Sequence, residues 1–449
     1  MKEHRRLSFF VAALFMSVPA LTQGRLPKLN VSRDHRYLVS QQGRPFFWLG
    51  DTGWELFHKL TKEDVSFYFS TRAKQGFTII QAVALAELNG LRTPNAYGEL
   101  PLVNENPLTP NELYFKHVEW VIDEADRHGL YIALLPTWGD KLFKSTWGEG
   151  PEIFNDSNAY EYGKWIGARL RTKNNIVWVL GGDRNPRDQK DVAIWRSMAR
   201  GIEAGVGGSF KALITYHPQP SETSSSSSWF HHDTWLDFNM LQTGHCRDEK
   251  VWDKVQGDYK RKPAKPVVNG EPIYEDHPVC FNAKELGYTN AYDVRKAAYL
   301  SVFAGALGVT YGCHAVWQFY QPPAPGVNGP LKPWKESLQL EGANQVGYLR
   351  QLLSSLKARD FIPDQSLLAE ESDKSNRIQV LKGGKYVLVY TAGGLPVKFN
   401  TERLPVKTAT SASWFDPRTG QYQPTATKLS DLFETPESGK DWVLVIRGN

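Results

Sequence analysis

The sequence predicts an α/β fold, a (β/α)8 TIM barrel followed by a small antiparallel β-sandwich domain. Three observations predict it. Strand-like and helix-like segments alternate from about residue 45 to 357, with eight strands among them. From about 362 the helical period disappears and short alternating strands begin. No GxGxxG follows the first strand, which sets aside the main competitor, a doubly wound open sheet. At 449 residues the chain has room for a barrel and one smaller partner.

The elements follow in order. The first strand covers 45–50 and ends at Asp51-Thr52-Gly53. A helix over 61–75 opens at Thr61 with Asp64 three residues on, a capping pattern. The second strand covers 77–83, and a loop rich in Asn, Pro and Gly runs over 87–110. Helix 111–128 stops at Gly129 before strand 130–135. Helix 158–172, strand 176–180, helix 189–203 and strand 212–216 continue the alternation. Strands 240–243 and 266–269, helix 291–305, strand 309–311 and helix 343–357 complete it. In the tail, strands at 377–381, 385–390, 397–399, 411–415 and 442–446 are punctuated by Gly383-Gly384, Gly393-Gly394 and the turn at 416–420. A Ser-rich patch at 224–228 reads as a loop.

Residues 1–23 read as a signal peptide. Lys2, Arg5 and Arg6 precede an apolar run over 7–21, too short and wrongly flanked for a spanning helix. The implied protein is exported, periplasmic or secreted, with no membrane insertion after cleavage. The barrel then occupies 28–357 and the β-domain 362–449. The net charge of +5 falls when the basic leader is removed, and no concentrated basic patch argues for nucleic acid. Cys246, Cys280 and Cys313 fit no zinc spacing; an odd count leaves at least one free or paired between chains, and free, mostly buried thiols are expected. His231-His232-Asp233 lacks the partner spacing of a metal site, so neither a metal nor another cofactor is expected. Most of the 15 Trp must fill the core, but Trp54, Trp138, Trp147, Trp229, Trp235, Trp317 and Trp334 stand beside Gly, Asp, His and Pro in loop-like stretches. A flat indole suits the C–H face of a sugar ring.

In such a barrel, reacting groups sit at the C-terminal strand ends. Those ends offer Asp51 and Trp54, Trp138 and Asp140, Asp183, His217, His245, Glu271 and Trp317. Hydrolysis of a glycosidic bond needs one protonated and one ionised carboxyl group. Asp183 and Glu271 end strands four and seven, on opposite sides of the mouth, and are the candidate catalytic pair. Trp54, Trp138, His217, His245 and Trp317 are expected to bind substrate, with His217 and His245 orienting a carboxylate or a sugar hydroxyl. Asp51 and Asp140 are placed with them, as ligand-binding or structural groups.

The stretches Trp48-Leu49-Gly50-Asp51-Thr52-Gly53-Trp54, Trp178-Val179-Leu180-Gly181-Gly182-Asp183-Arg184-Asn185 and Asn269-Gly270-Glu271-Pro272 together resemble the apiosidase-like glycoside hydrolases, glycoside hydrolase family 140. The resemblance covers about 28–357, and the tail resembles the small β-domain labelled collagen-binding that follows some of these barrels. It implies a retaining endo-apiosidase acting on apiose linkages of rhamnogalacturonan II, a pectin side-chain polysaccharide, with Asp183 as acid/base and Glu271 as nucleophile. The Gly182-Asp183 pair departs from the Asn-Glu of the wider clan, so the shorter Asp must be brought closer by its backbone. The expected substrate carries galacturonate, for which Arg92, Lys141 and Arg184 on predicted mouth loops are candidate partners. The alternatives are another pectic or arabinosyl glycosidase, or a carbohydrate- or collagen-binding surface protein without turnover.

Overall fold

Eight short runs dominated by apolar residues pair side by side in a computed structural model that describes residues 25–221, 225–356, 360–370, 372, 376–406 and 408–449. The expected signal peptide lies outside the described residues. The strands are β1 (Trp48–Thr52), β2 (Ile79–Leu85), β3 (Tyr131–Thr137), β4 (Ile176–Gly181), β5 (Ile214–His217), β6 (Asn239–Gln242), β7 (Val267–Glu271) and β8 (Gly308–Tyr311). They form one parallel sheet in the order β5-β4-β3-β2-β1-β8-β7-β6. Its two end strands meet where Asp237 N donates to Ile214 O (2.9 Å) and Thr215 Oγ1 to Phe238 O (2.6 Å). The result is the expected TIM barrel.

Alternation along the strands sorts their side chains into two layers. Trp48, Ile79, Val83, Ala133, Val179 and Met240 fill the barrel interior. Leu49, Ile80, Ala82, Ile132, Leu134 and Trp178 pack outward on the helices. Both faces are covered, which is why these strands read as nearly continuous apolar runs. The principal helices are α1 (Lys62–Lys74), α2 (Glu112–Arg127), α3 (Asp156–Leu170), α4 (Gln189–Val206), α5 (Val251–Tyr259), α6 (Ala291–Phe303) and α7 (Glu341–Ser355). Thr61 caps α1 as expected, its hydroxyl accepting from Asp64 N at 3.2 Å.

Two strand boundaries differ from expectation for local reasons. Leu49 N turns back to Phe47 O (3.1 Å), so the first expected strand splits. Pro45–Phe46 closes a three-stranded antiparallel sheet with Leu29–Val31 and Leu38–Ser40, and the barrel strand starts at Trp48. Phe77 N still bonds to Arg72 O (3.1 Å), in the closing turn of α1, which delays β2 to Ile79. The cysteine expectation is corrected too. Cys246 and Cys280 form a disulfide, with Cα atoms 4.7 Å apart, and Cys313 is free and buried. The bond joins the loops after β6 and β7, two strands that pair side by side in the barrel sheet.

The tail strands are β9 (Ile362–Pro363), β10 (Ile378–Gly383), β11 (Tyr386–Thr391), β12 (Ala409–Phe415), β13 (Tyr422–Pro424) and β14 (Trp442–Gly448), in the antiparallel order β9-β10-β11-β14-β12-β13. The expected strand at 397–399 makes only isolated bridges, Leu368 with Phe399 and Val397 with Phe433. One sheet face, with Val380, Val387, Val389 and Leu444, packs under Leu367, Phe399 and Phe433. The other, with Leu381, Leu388, Tyr390, Val443 and Val445, joins the outer layer of the barrel. Arg295 of α6 reaches Asp441 with two prongs of 2.7 Å each, and Tyr299 stacks on Tyr390 at 4.9 Å.

Candidate active site

Strand β4 ends in three residues with left-handed backbone: Gly181 (φ +85°), Gly182 (φ +108°) and Asp183 (φ +54°). A Cβ at 181 would come within 2.3 Å of His217 O, and one at 182 within 2.7 Å of Trp138 Cε3. Glycine satisfies both the angle and the space, and Asp is among the few residues that tolerate the third position. This coil is how the short Asp183 side chain is carried to the mouth.

Glu271 arrives by a different device. β7 stays in register with β6 through Asn269, then slips, so that Glu271 rather than Gly270 sits opposite Gln242. Simple alternation would send Glu271 outward with Val267 and Asn269; the bulge turns it toward the mouth.

The two carboxyl groups meet different surroundings. Tyr274 donates to Glu271 Oε1 at 2.6 Å, and His245 Nε2 lies 3.5 Å from the same oxygen. His217 Nε2 lies 2.9 Å from Oε2, within ion-pair range but off the line of a hydrogen bond. Asp183 N donates to His217 Nδ1 (3.4 Å), so Nε2 is the ring nitrogen that faces Glu271. Burial alone would raise the Glu271 carboxyl, but the His217 and His245 rings beside its oxygens outweigh it and hold it well below the usual carboxylate range. Asp183 is pushed up to about 6, first by burial and then by the negative charge of Glu271, against the pull of Arg184 and His217. Gln242 favours the charged form of its carboxyl, and Trp147 Nε1 donates to its Oδ2 at 3.2 Å. One acid is thus held ionised while its neighbour keeps a proton into mildly acidic pH, the division of labour that acid-assisted substitution requires.

The other expected residues separate into two groups. His217 and His245 stand on Glu271. Trp54 and Trp138 pack on each other (5.1 Å) and on His217 (5.3 and 6.2 Å), forming the floor of the mouth. Trp317 lines the same apolar cluster, its Nε1 donating to His314 Nδ1 at 3.3 Å. These three indoles are only 2, 3 and 7% exposed. Asp51 and Asp140 are not available to a ligand. Asp51 points outward from β1 and is buried against Arg72 Nε (2.6 Å) and Tyr68 OH (2.5 Å) of α1. Asp140 is buried, bonded to Lys141 Nζ (2.7 Å) through Oδ1 and to Glu149 N and Gly150 N (3.1 and 3.0 Å) through Oδ2. The cations expected to meet an acidic sugar are engaged as well. Lys141 is held by Asp140; Arg184 donates to the carbonyls of Phe143, Asp183 and Lys144; Arg92 pairs with Glu105.

Sequence reasoning missed Tyr274, Gln242, Trp147 and Glu87. Trp147 is one of the loop indoles, but nothing in the sequence ties it to Asp183. Glu87 stands two residues past the end of β2, beyond the expected end of that strand. Burial first, then the charges of Glu55, Asp183, Asp140 and Glu271, push its carboxyl well above the usual range. Tyr274 and Gln242 carry no sequence signal of their own. Among the described residues no group of three His, Cys, Asp or Glu side chains is placed to hold a metal ion. In the His231-His232-Asp233 segment, His231 Nε2 lies 3.0 Å from Pro263 O, and Asp233 pairs with Arg196 at 2.7 Å. A cavity of about 640 Å³ lies at the opposite end of the barrel, lined by Phe46, Tyr259, Leu307 and Leu381, and holds none of the candidate residues.

Residues 32–360 match the family model described as "Apiosidase-like, catalytic domain", and 362–447 match the one described as "Putative collagen-binding domain of a collagenase". A solved glycoside hydrolase is 30% identical, with a TM-score of 0.85 over 94% of this chain and 97% of its own. A glycoside hydrolase family 5 structure from Bacteroides vulgatus is also 30% identical, with a TM-score of 0.84 over 94% and 93%. A family 5 mannosidase from Rhizomucor miehei, 12% identical with a TM-score of 0.51 over 74% of this chain and 98% of its own, shares the fold. No curated protein sequence matches.

Proposed function

Because this chain belongs to the apiosidase-like family of glycoside hydrolases, we propose that it is a retaining enzyme that cleaves apiose linkages in the rhamnogalacturonan II side chains of pectin, the activity of glycoside hydrolase family 140. The observation that carries this reading is the placement of Asp183 and Glu271 at one barrel mouth, with Tyr274, His217 and His245 gathered on Glu271 and Trp147 on Asp183. Tyr274 holds Glu271 Oε1 and His217 stands 2.9 Å from Oε2, so the carboxylate is fixed on both sides. A carboxylate oxygen of Glu271 bonds to the anomeric carbon while Asp183 gives its proton to the departing glycosidic oxygen. Esterification removes the negative charge of Glu271, one of the causes that raise Asp183. The Asp183 carboxyl then falls toward its ordinary value and takes a proton from the water that hydrolyses the ester. The leader at 1–23 fits an exported enzyme meeting a polysaccharide outside the cytoplasm.

A panel of pectic oligosaccharides, including apiose-bearing fragments, tests this reading, with released ends identified by mass and the first anomer followed by NMR. Release of a new apiose end with retained configuration is expected. Inverted product appearing first would remove the nucleophile role of Glu271, and cleavage confined to fragments lacking apiose would replace the substrate.

A further inference from the structure

Among the tryptophans at the mouth, Trp147 differs from Trp54, Trp138 and Trp317. It is 51% exposed, whereas those three are almost fully covered. Its position is nonetheless fixed. Its Nε1 donates to Asp183 Oδ2 at 3.2 Å. The Arg184 guanidinium lies over the ring, 4.6 Å from its centroid, and is itself anchored to the carbonyls of Phe143 (2.8 Å), Asp183 (2.7 Å) and Lys144 (2.8 Å). The following residues are tied down by Asp140, whose Oδ2 accepts from Glu149 N and Gly150 N, and by the bond from Gly148 N to Lys144 O (3.1 Å).

We propose that Trp147 is the platform for the leaving sugar, and that its indole N–H fixes which oxygen of Asp183 carries the acid proton. The proposal rests on the reading of Asp183 as the acid and extends it to the leaving side of the bond. Asp183 must touch the glycosidic oxygen, and Trp147 touches Asp183, so the sugar attached to that oxygen lies beside this indole. With one face on Arg184, the ring offers a flat apolar surface to a pyranose or furanose C–H face. The N–H can only donate, so Oδ2 must accept in both protonation states. The hydroxyl oxygen of a carboxylic acid is the poorer acceptor, which places the proton on Oδ1. When Asp183 becomes a carboxylate, the same bond becomes charge-assisted and supports its second role as base.

Trp147→Phe keeps the ring and deletes the donor; Trp147→Ala deletes both. Each is compared with the wild type on an apiose-bearing pectic oligosaccharide and on apiosyl fluoride, whose leaving group has no ring and needs little protonation. For Trp147→Ala, the loss of kcat/KM on the oligosaccharide should exceed the loss on the fluoride at least tenfold, mainly through KM. Trp147→Phe should retain most of the oligosaccharide KM. Equal losses on both substrates, or none on the oligosaccharide, would overturn the platform. The proton assignment is read separately by 13C NMR titration of the Asp183 carboxyl carbon in the free protein, identified against Asp183→Asn. Removing a donor that favours the charged form should move the midpoint upward in Trp147→Phe, and an unchanged midpoint defeats it. If the wild type cleaves neither substrate, the apiosidase reading fails, while the titration still decides the indole–carboxyl relation.

Discussion

Tyr274 donates its phenolic proton to Glu271 Oε1 at 2.6 Å, three residues along the chain from its acceptor. The bond fixes the rotation of the carboxylate, whose other oxygen lies 2.9 Å from His217 Nε2. A hydrogen bond to a charged group is worth about 1.5–3 kcal/mol, which corresponds to roughly 10–100-fold in rate if it is needed in the transition state. Tyr274→Phe is therefore expected to lower kcat by about that factor with little change in KM. Losing a donor also weakens the hold on the ionised form, so the acid limb of the pH profile should move to higher pH. Steady-state kinetics from acidic to neutral pH check both outcomes.

The pH profile itself follows from the two carboxyl groups. Turnover needs Glu271 ionised and Asp183 protonated. Glu271 is held well below the usual range and Asp183 sits at about 6, so kcat/KM should be high in mildly acidic solution and fall as pH rises through about 6. Asp183→Asn should abolish the alkaline limb along with most of the activity. Linkage gives a companion result. The folded-state value of Asp183 is raised from 3.8 to about 6, so its contribution to stability is full below the lower value and lost as pH climbs through the upper. The melting temperature of Asp183→Asn, relative to wild type, should thus rise between about pH 4 and 7. A constant difference across that range would contradict the raised value.

The barrel was legible because its strands are short apolar runs between helices with readable caps, as at Thr61. The positions of Asp183 and Glu271 followed from counting strand ends, since that count fixes which residues reach the mouth. Direction was not legible. Asp51 ends an expected strand as plausibly as Asp183 does, yet the pleat turns it toward Arg72. Glu271 would have been turned away in the same manner but for the slip after Asn269, which leaves no mark in composition. Partners distant in sequence were equally hidden: Cys246 with Cys280, and Trp147 with Asp183, become neighbours only because the strands that precede them pair side by side.

Gly182 bears on how Asp183 is delivered. Its φ is +108°, and a methyl group added to its Cα would stand only 2.7 Å from Trp138 Cε3. An alanine there therefore meets both backbone strain and a clash with the floor of the mouth. Strain of this kind costs about 1–3 kcal/mol, and relief would displace either Asp183 or Trp138. Gly182→Ala should lose that much stability in urea and should lose activity beyond what the stability change explains, at temperatures where the variant is fully folded. Wild-type turnover in the folded variant would mean that the left-handed coil is not what places the acid.

The tail gives the most direct mechanical prediction. Arg295 and Asp441 are nearly fully covered, at 5 and 1% side-chain exposure, and make two bonds of 2.7 Å across the seam between α6 and the sheet. Removing one member of such a pair leaves the other charged and buried, at a cost of about 3–5 kcal/mol. The sheet face around that pair, with Leu388, Tyr390 and Val443, is part of the outer layer of the barrel. A β-domain covered on that face cannot melt without exposing the barrel. Asp441→Asn should accordingly lower the urea midpoint of the whole chain in a single transition, detected alike by tryptophan fluorescence and by loss of activity. Arg295→Met combined with Asp441→Leu should recover much of the loss, because no buried charge is then left unpaired. A freely attached binding module would behave otherwise: the tail would unfold in a separate early transition while the barrel kept its activity.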